Sequence, residues 1–458
     1  MVVGKKLAKE SLLPSVLEDD DAETESERAQ LGSGRHSSPE GEVSVRGERK
    51  EDEGEEEEEE GSGVGDGDSQ ERGKECVITA SDEDYDTDLE LGDVKEAYDP
   101  TGQTRYKEAC RMFNVVPVSY FLKHMGNTEL TMMHHGLGPQ GTKALAVSLV
   151  TNTSLLKLNL RDNCMEGTGG AAMAEMLKEN CYITEVDLGE NRLGDCGAQT
   201  LSSMLQENTT LVSLSMSGNE LADRAAQHLA QTLTSNTKLE TLDLSHNTIG
   251  DAAGDKKRRQ GGHIKLRRPL RRPLKTIETQ LIFLSSGQVL GHAIAENTGL
   301  RSLSLAWNCI RGKGAVALAK GLGANIFLRT LDLSYNGLGK DGAVALGEAL
   351  KDNNTLEDLN ISNNRIPPEG AIRFTMGLKV NKTIKKLNMG RNPIQTAGCY
   401  GVLKAIQGNA ESAMECLDFS DITVNQDFED LYVALKYIFP NIRVKHGGRI
   451  NTFRKPKA

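Results

Sequence analysis

The sequence predicts an α/β solenoid, a horseshoe of about nine 28-residue strand–helix units with parallel strands on the concave face. Asparagine recurs at Asn163, Asn191, Asn219 and Asn247, then at Asn308, Asn336, Asn364 and Asn392, in steps of 28 residues apart from one of 61. A second asparagine follows 17 residues later, at Asn180, Asn208, Asn236, Asn325, Asn353, Asn381 and Asn409. Asn297 plays this part in the interrupted unit, and Asn152 does so in a first unit where His135 replaces the leading asparagine. A self-similar period of roughly 20–50 residues means that one supersecondary unit is stacked on the next.

Each unit reads from strand to helix. The pattern L-x-x-L-x-L-x-x-N surrounds the first asparagine, as in Leu155, Leu158, Leu160 and Asn163, or Leu328, Leu331, Leu333 and Asn336. This is the leucine-rich repeat signature. Its L-x-L pair points two side chains to one face of a short strand and into the core. The asparagine can bond backbone groups where the chain leaves the strand, beside the equivalent turn of the next unit. Six residues on comes a small residue: Gly141, Gly169, Gly197, Gly314, Gly342, Gly370 and Gly398, with Ala225 and Ala253 elsewhere. A helix follows with apolar residues at helical spacing, such as Ala172, Met173, Met176 and Leu177. The second asparagine reads as its C-terminal cap, in the left-handed conformation that Asn tolerates. End units have no neighbour to cover their core. Residues 100–128 therefore read as an N-terminal cap, and Phe428 to His446 as the closing cap of a solenoid spanning 129–447.

The net charge of −12 is unevenly spread. Residues 51–60 read EDEGEEEEEE and residues 81–90 read SDEDYDTDLE. A segment so poor in apolar residues cannot offset its ordering entropy, so 1–99 is expected to be a disordered acidic region. Within it, Ser81 and Thr87 each precede an acidic residue by three positions, a pattern similar to casein kinase 2 sites. Residues 448–458 are expected to form a flexible basic tail. No signal peptide, myristoylation signal or membrane span is expected. The eight cysteines (Cys76, Cys110, Cys164, Cys181, Cys196, Cys309, Cys399 and Cys416) lie apart, without a C-x-x-C pair. They are expected to be reduced thiols of a cytoplasmic or nuclear protein.

Removing residues 255–287 closes the 61-residue step to 28. The gap is thus one repeat with a 33-residue insertion, DKKRRQGGHIKLRRPLRRPLKTIETQLIFLSSG, which holds ten Lys or Arg. Such a cluster fits a nuclear-localisation or nucleic-acid patch. The junctions fit a retained intron or alternative exon better. Gly254-Asp255 can be encoded as a splice-donor-like start, and residues 281–287 as a pyrimidine-rich tract ending in AG in the same codon phase.

Motifs for chemistry fail on inspection. Gly136-Leu-Gly138-Pro-Gln-Gly141 matches G-x-G-x-x-G between a strand and a helix, as a dinucleotide site requires. Yet Gly141 is the repeat's own small residue. No metal-ligand spacing and no grouping of nucleophile, base and orienting residue is found. No enzyme activity, cofactor or metal is expected. The more informative surface is the concave face, where Glu185, Asp187, Asp243, Asp332 and Asp358 form an expected mid-face acidic strip around Ser213, Ser215 and Ser217. Lys157, Arg161 and Lys386 lie towards the ends. Just before the ladder asparagine, on the rim, stand Trp307 and Tyr335 in consecutive units. Strands stack about 5 Å apart, so the two rings are expected to be neighbours and binding anchors.

The 28-residue unit resembles the ribonuclease-inhibitor class of leucine-rich repeats. Val115-Val-Pro-Val-Ser-Tyr-Phe-Leu122, Gly136 to Gly141, Ala295-Glu-Asn-Thr-Gly-Leu300 and Leu417-Asp-Phe-Ser-Asp-Ile422 are similar to the leucine-rich repeat-containing protein 74 family over roughly residues 97–447. The insertion departs from that family's pattern. The resemblance carries no enzymatic activity over. The expected role is a monomeric scaffold for a protein partner, one with a basic surface because the strip is acidic, with no small-molecule substrate, membrane or nucleic acid expected. The uniform period also resembles Ran GTPase-activating proteins, which leaves activation of a GTPase as the alternative; their acidic tail follows the repeats, whereas here it precedes them.

Overall fold

The first apolar residue of each L-x-L pair becomes the buried centre of a three-residue strand whose flanking side chains face outwards, and the second, such as Leu160 or Leu244, is buried just beyond the strand's end. The computed structural model describes residues 102–250 and 285–450. The acidic segment with Ser81 and Thr87, most of the insertion, Ala253 and the last eight residues lie outside the described residues.

Eleven strands form one parallel sheet in sequence order. They are β1 (Glu129–Thr131), β2 (Lys157–Asn159), β3 (Glu185–Asp187), β4 (Ser213–Ser215), β5 (Thr241–Asp243), β6 (Ser302–Ser304), β7 (Thr330–Asp332), β8 (Asp358–Asn360), β9 (Lys386–Asn388), β10 (Cys416–Phe419) and β11 (Arg443–His446). The helices α1 (Gln103–Met112) and α2 (Ser119–His124) precede β1 and cap the first core, where Tyr106 and Phe121 meet edge to face at 4.6 Å. Among the described residues, one helix then follows each strand from β1 to β10: α3 (Gly138–Leu149), α4 (Glu166–Glu179), α5 (Gly194–Glu207), α6 (Asp223–Leu233), α7 (Ser286–Glu296), α8 (Gly312–Ala324), α9 (Gly339–Asp352), α10 (Pro368–Leu378), α11 (Gln395–Gln407) and α12 (Gln426–Ile438). Nine strand–helix units run from β1 to α11. The pair β10–α12 with β11 closes the far end. This is the open solenoid of strands and helices that the repeat pattern predicts.

The first asparagine ladder joins unit to unit. Asn163 is fully buried, and its Nδ2 donates to the carbonyl of Met132 in the preceding unit (2.7 Å) and of Leu160 in its own (2.9 Å). Its amide donates to Oδ1 of Asn191 (2.9 Å), and Asn191 bonds Asn219 in the same way. A buried polar group needs such partners. Here each side chain satisfies turns of two units at once.

The second ladder behaves differently from the expectation. Asn180, Asn208, Asn297, Asn325 and Asn353 do follow their helices, but with φ near −70° and extended ψ, not in the left-handed region. Their identity follows from side-chain bonding. Asn180 Nδ2 donates to the carbonyls of Leu149 (2.8 Å) and Asn152 (2.9 Å), while its Oδ1 accepts the amides of Tyr182 and Ile183 (2.9 Å each). It ties one helix end to the next unit's helix end.

The pairing continues across the insertion. Leu242 of β5 is in register with Leu303 of β6. Asn308 Nδ2 donates to the carbonyl of Leu244 at 2.9 Å, as its equivalents do elsewhere. The sequence reading counted Ser285 to Gly287 within the insertion, and the structure gives them to α7. Gln288 accepts the Ser285 amide at 3.0 Å, and Ser286 and Gly287 occupy the helix start that Ala253 and Gly254 were expected to fill. Gly448 to Ile450, expected in the tail, pair with Val424 (3.0 and 2.8 Å).

Candidate functional site

The residue just before each first-ladder asparagine leaves the strand through a left-handed backbone. In nine successive units it is His134, Asp162, Glu190, Gly218, His246, Trp307, Tyr335, Asn363 and Arg391, with φ between 51° and 66°. This conformation costs an ordinary L-residue of the order of 1–2 kcal/mol. It persists because the turn's amides bond the next unit: His246 to the carbonyl of Ala306 (2.9 Å), Trp307 to Ser334 (2.9 Å) and Tyr335 to Ser362 (3.0 Å). The result is a column of side chains along one rim of the sheet.

Three rings stack within that column. Trp307 lies 3.7 Å from Tyr335, centroid to centroid, with an interplanar angle of 10°. His246 lies 5.2 Å from Trp307 at 16°. Arg391 donates Nη1 to the Tyr335 hydroxyl across the intervening unit, and its Nε bonds Asp421 Oδ2 at 2.9 Å. Trp307 remains 47% exposed although rings flank both of its faces, so it offers its edge to solvent. Aromatic edges are electropositive and faces electronegative.

The carboxylates expected as a strip divide into two kinds. Asp187, Asp243 and Asp332 end their strands, and each uses Oδ1 to accept the amide two residues on: Gly189 (2.8 Å), Ser245 (2.9 Å) and Ser334 (2.8 Å). They are turn-formers as well as surface charges. Ser215 and Ser304 separate them along the sheet, since Asp187 pairs with Ser215, Ser215 with Asp243 and Ser304 with Asp332. Asn360 Nδ2 donates to Asp332 Oδ2 at 3.0 Å. Glu185 and Asp358 begin their strands and are paired sideways. Lys157 sits 3.4 Å from both Glu129 and Glu185, and its ammonium, hydrogen-bonded to Glu185, is held above the usual lysine range. Lys386 sits 3.6 Å from Asp358. Between these two paired ends, β4 to β7 present Ser213, Thr241, Ser302 and Thr330 in one row and Ser215, Asp243, Ser304 and Asp332 in another. The middle of the face is thus a floor of small polar side chains beside a wall of stacked rings. Sequence reasoning found Trp307 and Tyr335 but missed His246, Gly218 and Arg391, which the same offset from the ladder asparagine would have found. Among the described residues, no group of three or more His, Cys, Asp or Glu could hold a metal ion. None of their helices is long and apolar enough to cross a membrane.

A family model described as Leucine Rich repeat matches eight stretches: residues 151–174, 179–202, 207–230, 235–256, 296–319, 324–347, 352–374 and 380–402. The chain is a leucine-rich repeat protein. It is 43% identical over 68 residues (15% of this chain, 17% of the relative) to human leucine-rich repeat-containing protein 74B. It is 51% identical over 49 residues (11% and 12%) to the mouse protein of that name. These stretches are similar to the leucine-rich repeat-containing protein 74 type, and each spans less than a fifth of the relative. Among solved structures, an internalin from Listeria monocytogenes matches with 14% identity, TM-score 0.37 and coverage of 76% of this chain and 90% of that one. The leucine-rich repeat domain of APL1 matches with 15% identity, TM-score 0.34 and coverage of 66% and 58%. Leucine-rich repeats as a class serve as protein-interaction scaffolds with extended binding surfaces.

Proposed function

We propose that this chain is a non-enzymatic scaffold that holds a protein partner against the sheet face and the rim around Trp307 and Tyr335, with Asp332, Asp358 and Asp243 beside them. The stacked, half-exposed ring pair carries this reading. Large rings held on a rigid frame lose little freedom on binding, and such residues dominate interface energetics. The outward carboxylates favour a partner with a basic surface, chiefly by raising the association rate.

The test is a double substitution, Trp307→Ala with Tyr335→Ala. Neither side chain fills a core leucine position, so the fold is expected to survive. Affinity for partners recovered by proximity labelling is expected to fall by about 2 kcal/mol or more if the rings are hot spots. A folded double variant that recovers the same partners at the same affinity overturns the reading. An assay of GTP hydrolysis by candidate small GTPases is expected to show no stimulation; clear stimulation would favour the activator alternative.

A further inference from the structure

We propose that the gap in the rim column at Gly218 seats an arginine side chain of the protein partner. This rests on the reading of the rim as the binding face. The column runs Glu190, Gly218, His246, Trp307, Tyr335, and the backbone passes through Gly218 at φ 66°, beside values of 53–56° in the other four. Only a side chain is missing. His246 is exposed and has one ring face on Trp307, which leaves the other turned towards the Gly218 position. A planar group entering there continues the stack.

Charge selects which planar group. Glu190 borders the gap, and the strands on either side carry Asp187 in the unit before and Asp243 in the unit after, both paired with Ser215 of the gap's own unit. Glu190 leans in, with its Cγ 2.8 Å from where a Gly218 Cβ would stand. The opposing cation is Arg161, and its own position is instructive. From two units away it lies over the floor, Nη1 donating to Ser217 Oγ (3.2 Å) and Nη2 to Glu190 Oε1 (2.5 Å). The chain already seats one guanidinium beside this gap, on the same small side chains. A guanidinium both stacks flat on a ring and donates in its plane to carboxylates. An ammonium cannot stack in this way, and a neutral ring, with Arg161 already answering Glu190, brings no cation for Asp187 and Asp243.

Trp307 is the one tryptophan of the chain, so its emission reports on the stack. The full chain is titrated with Nα-acetyl-arginine amide, and separately with the acetyl-lysine and acetyl-citrulline amides. The arginine compound is expected to change the emission saturably at a concentration about five-fold lower than the others, the equivalent of about 1 kcal/mol of stacked cation. Gly218→Tyr fills the gap in the left-handed region that the neighbouring column residues adopt, displaces the Glu190 side chain, and is expected to abolish the response at a modest cost in Tm. His246→Ala, which removes the stacking face, should also abolish it and serves if the first variant fails to fold. Equal responses to the three compounds, or an unaltered response in both variants, overturn the proposal. A partner kept at full affinity by Gly218→Tyr but lost by the Trp307 and Tyr335 double variant also overturns it, and leaves the rim reading standing. A partner kept by all the variants defeats both.

Discussion

Asn219 serves two units with one amide. Its Nδ2 donates to the carbonyls of Leu188 (2.9 Å) and Ser217 (3.2 Å), and its Oδ1 accepts the amides of Asn191 (2.9 Å) and Leu193 (3.3 Å). The side chain is fully buried, so no water replaces it. Each buried group orphaned by Asn219→Ala costs about 1–3 kcal/mol, which predicts a loss of about 3 kcal/mol or more in a denaturant titration. A loss below 1 kcal/mol would mean that the turn reorganises. The ladder was legible in the sequence because one residue type recurs at one offset. The left-handed column beside it was not, because its side chains range from Gly218 through Asp162 to Trp307 and nothing but position marks them. The thiols divide by burial in the same way. Burial pushes the Cys399 thiol up to about 12 and raises Cys110 above its usual value, whereas Cys164, Cys181 and Cys196 are exposed. Ellman's reagent near neutral pH is therefore expected to label the exposed three rapidly, and Cys110 and Cys399 only once denaturant unfolds the chain. Rapid labelling of Cys399 in the native protein would contradict its full burial on α11.

Helix-on-helix spacing depends on glycines that sequence reading passed over. A helical glycine costs about 1 kcal/mol relative to alanine, so it reads as a defect unless something needs the space. Between α7 and α8 something does: a Cβ at Gly321 would lie 1.9 Å from the carbonyl oxygen of Gly291. Between α9 and α10 the same holds, with a Cβ at Gly377 lying 2.2 Å from the carbonyl oxygen of Gly347. Backbone cannot yield as a flexible side chain does. Gly321→Ala is expected to destabilise by about 1–3 kcal/mol through overpacking. Gly401, inside α11, is the contrast. Its nearest neighbour would be 3.6 Å from an added Cβ, so Gly401→Ala should stabilise by about 0.5–1 kcal/mol. Thermal unfolding of the two variants checks both signs, and a stabilised Gly321→Ala would mean that α8 can slide on α7 without loss. At this scale the site was half legible. Alternation showed which strand residues face outwards, but not that Asp187, Asp243 and Asp332 each also close a turn. That role depends on where each strand ends, and strand ends are poorly marked in sequence.

The solenoid as a whole tolerates a 61-residue step between Asn247 and Asn308 because both lips of the insertion are held by the preceding unit. Asp223 Oδ1 accepts the amide of Gly250 at 3.3 Å and the hydroxyl of Ser286. A single carboxylate oxygen thus fixes where the chain leaves the repeat and where it returns. Beyond that oxygen the neighbouring contacts are those of an uninterrupted unit: Ile249 donates its amide to Asn308 Oδ1 at 3.0 Å, and Gly250 bridges to Cys309. The register was legible because the repeat fixes it on both sides; the exact lips were not, since Ala253-Gly254 and Ser286-Gly287 are both small pairs suited to the same helix start. Deleting 255–287 therefore leaves Ala253 and Gly254 to occupy those places and joins them to Gln288 without strain. It forfeits the Ser286 bond to Asp223, a charged-acceptor bond of roughly 1.5–3 kcal/mol. Against this it removes the closure cost of a long loop, which by (3/2)RT ln n is about 3 kcal/mol for this length. These nearly cancel, so the deletion is expected to leave Tm unchanged within a few degrees. Deleting residues 253–285 instead keeps Ser286 and Gly287 and restores the same 28-residue period, so this second deletion is expected to be the more stable of the two. If both deletions lower Tm by ten degrees or more, the insertion supplies contacts that the repeat needs. If the first exceeds the second, Ala253 and Gly254 start the helix better than the residues now found there.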